Sequence, residues 1–139
     1  MSYKIIGKYI KKLDFQIPNP KIFSLLSKEI SNYKINIDIK SNQIKEKIIE
    51  VETSINLIPS KENNEKICSE ILYSTIIELD EKIKDKKEVE KIVLVKVPEA
   101  IYPELRKIFI FVFESSGFKD IKINSFIDFQ KLYNLKKVQ

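Results

Sequence analysis

The side chains that could do chemistry in this chain are few and scattered. There is no histidine, a single cysteine (Cys68) and a single arginine (Arg106), set among 20 carboxylates. A histidine general base, a Ser-His-Asp triad and a Cys/His zinc site are excluded on composition alone, and one cysteine makes no disulfide framework. The carboxylates alternate with apolar residues along strand-like stretches instead of pairing at a spacing that suits acid–base work, so no enzyme is expected. Two glycines, Gly7 and Gly117, cannot build a dinucleotide fingerprint or a phosphate-cradling loop. No cofactor and no metal are expected, and Cys68 reads as a small hydrophobe.

Charge points away from another class. Lys+Arg 25 against Asp+Glu 20 gives a net charge of +5, yet every cation but Arg106 is a lysine. Lysine is a hydrated point charge without the planar fork that grips phosphates and guanine edges, so nucleic acid is not the expected partner. The isoleucine-, lysine- and asparagine-rich composition looks like the drift of an AT-rich genome. The longest wholly apolar run, Ile108 to Phe113, is far shorter than the roughly 20 residues of a membrane-spanning helix. No span is expected, and with no secretory leader in Met1-Ser2-Tyr3-Lys4 a cytoplasmic location is the expectation.

The elements that must position any site follow from periodicity. A chain of 139 residues suits a single domain over 1–139, large enough to bury roughly two-thirds of its unfolded surface. A period of two from Ile5 to Ile17 predicts a half-buried first strand with its odd positions on one face, ended by Pro18-Asn19-Pro20. An amphipathic stretch from Ile22 to Ile30 suits one or two helical turns. Ile35, Ile37 and Ile39 mark a second strand. Ile49, Val51, Thr53, Ile55 and Leu57 line one face of a third, with Glu50, Glu52, Ser54 and Asn56 on the other. Pro59 to Asn64 reads as a hairpin loop, and a fourth strand runs from about Glu65 to Leu79.

Asp80 to Lys91 mixes charges of both signs, which suits a solvated connection or a short helix. Glu99 to Ser116 predicts a helix, opened by Pro98 and ended by Gly117. Its middle, Ile108 to Phe113, is apolar all round; such a helix is buried from two sides, a four-stranded sheet covers one, and the simplest second cover is another subunit. A short helix from about Asp128 to Lys136 closes the chain. The fold class is therefore α+β: a four-stranded antiparallel sheet followed by a long and a short helix packed on one face.

Three segments carry a family resemblance. Tyr9 to Asn19, with its Phe15-Gln16-Ile17-Pro18-Asn19 ending, Glu70 to Ile77, and Pro98-Glu99-Ala100-Ile101-Tyr102-Pro103-Glu104-Leu105-Arg106 resemble, in order, words of SecB, the bacterial protein-export chaperone family. Gly117-Phe118 and Ile127-Asp128-Phe129-Gln130-Lys131-Leu132-Tyr133 are similar to its closing words. The resemblance spans nearly the whole chain.

It implies a homotetramer, a dimer of dimers with sheets outside and long helices between, whose interface here would use Ile108, Phe109, Val112 and Phe113. It also implies a holdase that binds unfolded preproteins and delivers them to the export motor SecA. Phe15, Ile17, Phe23, Tyr73 and Phe118 are the expected client-binding residues. Glu70, Cys68, Lys12 and Gln16 occupy the expected SecA-docking positions, with Lys12 and Gln16 standing where relatives carry carboxylates. Ser74-Thr75 replaces a glycine pair, and Phe126 is an extra residue. The alternative on the same fold is a SecB-like chaperone dedicated to one partner, such as a toxin–antitoxin pair.

Overall fold

Isoleucine alternating with polar residues sets four strands into one antiparallel sheet in a computed structural model that describes residues 2–29, 34–58, 68–119, 121 and 123–138. Strands β1 (Tyr3–Gln16), β2 (Lys34–Lys45), β3 (Ile48–Ile58) and β4 (Cys68–Leu79) lie in the order β1-β4-β3-β2, so β1 and β2 are the edges. The loop expected at 59–64 and the expected start of β4 at 65–67 lie outside the described residues. On β3 the predicted alternation holds: Ile49, Val51, Thr53, Ile55 and Leu57 are all buried, and the intervening residues are not.

β1 departs from the expected simple alternation. Its register on β4 shifts between Ile5 and Gly7 and again between Ile10 and Lys12, so two bulges interrupt the period of two. The helix-side face of β1 is consequently Ile5, Lys8, Ile10, Leu13 and Phe15, opposite Ile77, Thr75, Tyr73, Ile71 and Ser69. Gly7, Tyr9, Lys12 and Asp14 take the outer face, opposite Ile76, Ser74, Leu72 and Glu70.

Helix α1 (Pro20–Glu29) starts where Asn19 accepts the Ile22 N–H on its side-chain oxygen at 2.9 Å, with Pro20 at the first helical position. Helix α2 (Lys86–Lys91) is capped by Asp85, which accepts the Lys87 N–H at 3.0 Å. It runs through a π-helical turn, Ile92–Lys96, into the long helix α3 (Val97–Ser115), so the helical stretch begins well before the predicted Glu99. Pro98 has no N–H to offer and its ring crowds the preceding turn, and the wide π turn in front of it absorbs both defects. Ile92, Val93, Val95 and Val97 are all buried as a result, serving two parts of the core. Helix α4 (Phe129–Val138) closes the fold.

α3 lies across β3 and β4. Ile101, Leu105, Phe109 and Phe113 pack against Ile55, Leu57, Ile71 and Tyr73 in the main core. Its end is a Schellman turn: Phe118 N–H bonds Phe113 O and Gly117 N–H bonds Glu114 O, each at 3.1 Å, with Gly117 at φ +98°. Its positive φ favours glycine, and a Cβ at this position would also sit 3.2 Å from the Phe23 ring, which would have to shift by a few tenths of an ångström. The lone arginine belongs to the scaffold: Arg106 Nε and Nη2 both donate to Ile123 O, at 3.4 and 3.3 Å, while Tyr102 OH donates to Asn124 O at 2.6 Å. Together they hold the chain beyond Gly117 against α3, a two-pronged grip that lysine does not supply.

Candidate functional site

Phe15, Phe23, Phe109, Phe113 and Phe118 form one aromatic chain at the end of α3. Phe15 meets Phe113 edge-on at 4.9 Å and 88°, Phe23 lies 4.9 Å from Phe118, and Phe113 joins them at 5.8 Å from Phe118 and 4.7 Å from Phe109. Of the five expected client-binding residues, Phe15, Ile17 and Phe23 are half-buried and reach the surface. Tyr73 and Phe118 do not; they lie inside the core, because Tyr73 is on the helix-facing side of β4 and Phe118 is the hydrophobic stop of the Schellman turn.

A second apolar surface had no signal in the strand pattern. Ile37 and Ile39 of β2, Leu94 of the π turn, and Phe129, Leu132, Tyr133 and Leu135 of α4 line a cleft of about 220 Å³ beside the β2 edge. Leu132 and Leu135 stand half-exposed on its rim. The clue available from sequence was the apolar spacing of Leu132 and Leu135 on a helix already buried through Phe129 and Tyr133.

The outer face of α3 also differs from expectation. Phe109 and Phe113 are within the chain's own core and cannot face outward, since both point at the sheet. The outward stripe is Ile108 and Val112, half-buried, with Phe111 at 69 % exposure between them.

The sheet's outer face is charged and cross-linked. Lys12 Nζ sits 3.1 Å from Glu70 Oε1, Gln16 Nε2 donates to Asp14 at 3.2 Å, and Gln16 pairs with Cys68, whose side chain lies outside the described residues. Lys12, Gln16 and Glu70 thus share one patch of the β1–β4 pair. Further along, Glu50 accepts hydrogen bonds from Ser74 at 2.6 Å, Lys11 and Asn42 at 3.2 Å and Tyr9 at 3.3 Å, tying all four strands together. The Ser74 hydroxyl above all, then Asn42 and Lys11, hold the Glu50 carboxyl down to about 2. Of Ser74 and Thr75, at the positions where the resemblance led to a glycine pair, Ser74 donates this hydrogen bond.

No helix among the described residues is long and apolar enough to cross a membrane. The arrangement offers apolar surface and paired charge. Compared with known proteins, residues 1–139 match the family model described as "Preprotein translocase subunit SecB". The chain belongs to the SecB family. It is 43 % identical over 132 residues to the putative protein-export protein SecB of Pelagibacter ubique, covering 95 % of this chain and 94 % of the relative. The protein-export protein SecB of Anaplasma phagocytophilum is 29 % identical, with 94 % of this chain and 89 % of the relative covered. Among solved structures, the fold matches a SecB-like chaperone of Mycobacterium tuberculosis in complex with a peptide of the HigA1 antitoxin, with a TM-score of 0.67 at 10 % identity over 91 % of this chain and 88 % of that one. The four-stranded antiparallel sheet with its helices, read from the periodicity, and the SecB-like fold implied by the resemblance are therefore both present.

Proposed function

We propose that this chain is a holdase of protein export, which keeps preproteins unfolded on its apolar surfaces and hands them to SecA without catalysis or nucleotide. SecB membership over the whole chain carries this reading. The surfaces described above supply its physics. A client's apolar side chains, each worth roughly 1.5–3 kcal/mol when fully buried, would enter the cleft beside β2 and the rim formed by Phe15, Ile17 and Phe23. The edge of β2, beside which no further strand lies among the described residues, adds backbone pairing that reads no sequence.

The working particle in this reading is a cytoplasmic homotetramer, supported by the exposed Phe111 flanked by half-buried Ile108 and Val112. Glu70 with Lys12, Gln16 and Cys68 is the proposed docking patch for SecA. The test is suppression of aggregation of a denatured preprotein, followed by its transfer to SecA. Stoichiometric suppression and release to SecA are expected; no suppression at any excess would overturn the reading.

The pairing of Glu70 by Lys12 favours a second reading, in which the same fold serves one dedicated partner. The solved SecB-like chaperone held with an antitoxin peptide is a case of such use. A pull-down that yields one partner, together with failure to protect unrelated unfolded proteins, would decide for it.

A further inference from the structure

The net charge of +5 is unevenly placed along the chain. The elements that build the cleft beside β2 hold three lysines on β2, one on the π turn and three on α4, against the single carboxylate Asp38. Seven lysines against one carboxylate make +6, more than the whole chain carries, so the remainder is close to neutral. The ion pairs show the same division. Among the described residues they all belong to Lys4, Lys8, Lys11 and Lys12 of β1, and none to the exposed Lys34, Lys40, Lys96 or Lys131. Lys40 stands opposite Glu52 on β3, yet that carboxylate is held by Lys11 at 2.9 Å and Asn42 at 3.0 Å.

We infer that Lys34 and Lys40 select the clients of this cleft: unfolded segments with apolar residues at alternate positions and carboxylates six residues apart. This rests on the holdase reading above and names the class of segment held. β2 is an edge strand on which half-buried Ile35, Ile37 and Ile39 alternate with exposed Lys34, Asn36, Asp38 and Lys40. Ile37 and Ile39 face the cleft, while Asp38 and Lys40 lie opposite Ser54 and Glu52 on the outer side of the sheet. A segment that pairs with β2 therefore sends every second side chain towards the isoleucines and the rest beside the polar row.

Side chains directly opposite on paired strands stand about 4.5–5.5 Å apart, where opposite charges help and like charges oppose. Lys34 and Lys40 are six residues apart on one face, so two client carboxylates at that spacing meet both lysines whichever way the segment runs. Asp38 between them disfavours a further carboxylate opposite itself. Across the cleft, Lys131 lies one helical turn before Leu135 of the rim, and Asp128 at that end of α4 is engaged by the Lys131 N–H at 3.0 Å. A basic segment thus meets repulsion from both walls, and an acidic one meets none of it.

The test uses three short fluorescein-labelled peptides that share leucine at alternate positions and differ only at two sites six residues apart, which carry Glu, Gln or Lys. In fluorescence anisotropy at low salt, the Glu peptide is expected to bind the wild-type protein about tenfold more tightly than the Lys peptide, with the Gln peptide between them. The gap should close near 1 M salt, where charges more than about 3 Å apart are screened. Lys34→Gln with Lys40→Gln is expected to abolish the order while keeping the affinity of the Gln peptide and the unfolding midpoint. Equal binding of the Glu and Lys peptides to the wild type would overturn the inference, since a lysine-guarded edge that only deters pairing treats all segments alike. So would an order that survives the loss of both lysines, or equal binding of a Glu peptide whose two carboxylates are moved next to each other. Binding of none of the peptides would instead overturn the reading of this cleft as a client site.

Discussion

Lys12 Nζ lies 3.1 Å from Glu70 Oε1, a cation of the edge strand laid on the carboxylate of its neighbour. Both side chains are substantially exposed, so the pair adds little to stability. What it changes is the charge presented to a partner: the Glu70 carboxylate of the proposed SecA-docking patch is already answered from within the chain.

The first prediction concerns that patch. Lys12→Gln uncovers Glu70 and is expected to tighten SecA binding several-fold at low salt, whereas Glu70→Lys weakens it. A titration of each variant against the SecA of the same cell checks this. Two null results would place the docking surface elsewhere.

The second concerns acid. Glu50 has its pKa lowered from 4.5 to about 2, so the stability it contributes is complete above the unfolded value and is lost as pH falls from about 4.5 towards 2. Glu104, also lowered, by Lys8 first and then by Tyr73, acts in the same direction. Acid denaturation of the wild type should steepen across that window and be flattened in Glu50→Gln. Loss of the charged hydrogen bonds in Glu50→Ala is expected to cost about 1.5–3 kcal/mol at neutral pH. At the alkaline end, Tyr73 is raised to about 12, chiefly by burial and then by its bond to Glu104, so its contribution is present below about 10 and disappears as pH climbs through 12.

The third concerns two hydroxyls. Thr53 and Thr75 are fully buried on the helix side of adjacent strands, diagonal to each other, and neither Oγ1 has a hydrogen-bond partner among the described residues. A buried hydroxyl without a partner costs about 1–3 kcal/mol, and valine has nearly the same shape. Thr53→Val and Thr75→Val are each expected to raise the thermal midpoint by a few degrees at fixed protein concentration. A lowered midpoint would mean that the hydroxyls are satisfied by a buried water.

Much of this molecule was legible because strands with one buried face advertise it. β3 alternates without interruption, since its neighbours on both sides pin every residue. β1 misled at Ile6 and Lys11 because a bulge is a matter of pairing with β4, and nothing in the residue types at those positions announces it. Pro98 read as a helix start for a sound reason, yet the π turn before it carries the helix through. Tyr73 and Phe118 were expected in the client groove on the family resemblance, and an aromatic side chain suits either groove or core. The helix side of β4 decides for Tyr73, and the Schellman turn with the packing of Phe113 decides for Phe118. The cleft beside β2 escaped notice because three elements distant in sequence build it.

The last prediction separates that cleft from the core. Leu132 and Leu135 are 45 % and 56 % exposed, so replacing both with serine removes little that holds the chain together. If clients bury these side chains, the pair of substitutions forfeits on the order of 1.4 kcal/mol or more of client binding, about tenfold in affinity. Phe118→Ala behaves oppositely: Phe118 is 2 % exposed between Phe23 and Phe113, and its loss is expected to destabilise the fold by about 3–5 kcal/mol. Measuring unfolding midpoint and client affinity on both variants distinguishes the two surfaces. Leu132→Ser with Leu135→Ser should keep the midpoint and lose the client. Unchanged affinity there, with loss only when Phe15, Ile17 or Phe23 is altered, would move the client from the β2 edge to the aromatic rim, because those three are the remaining half-buried residues of the expected groove.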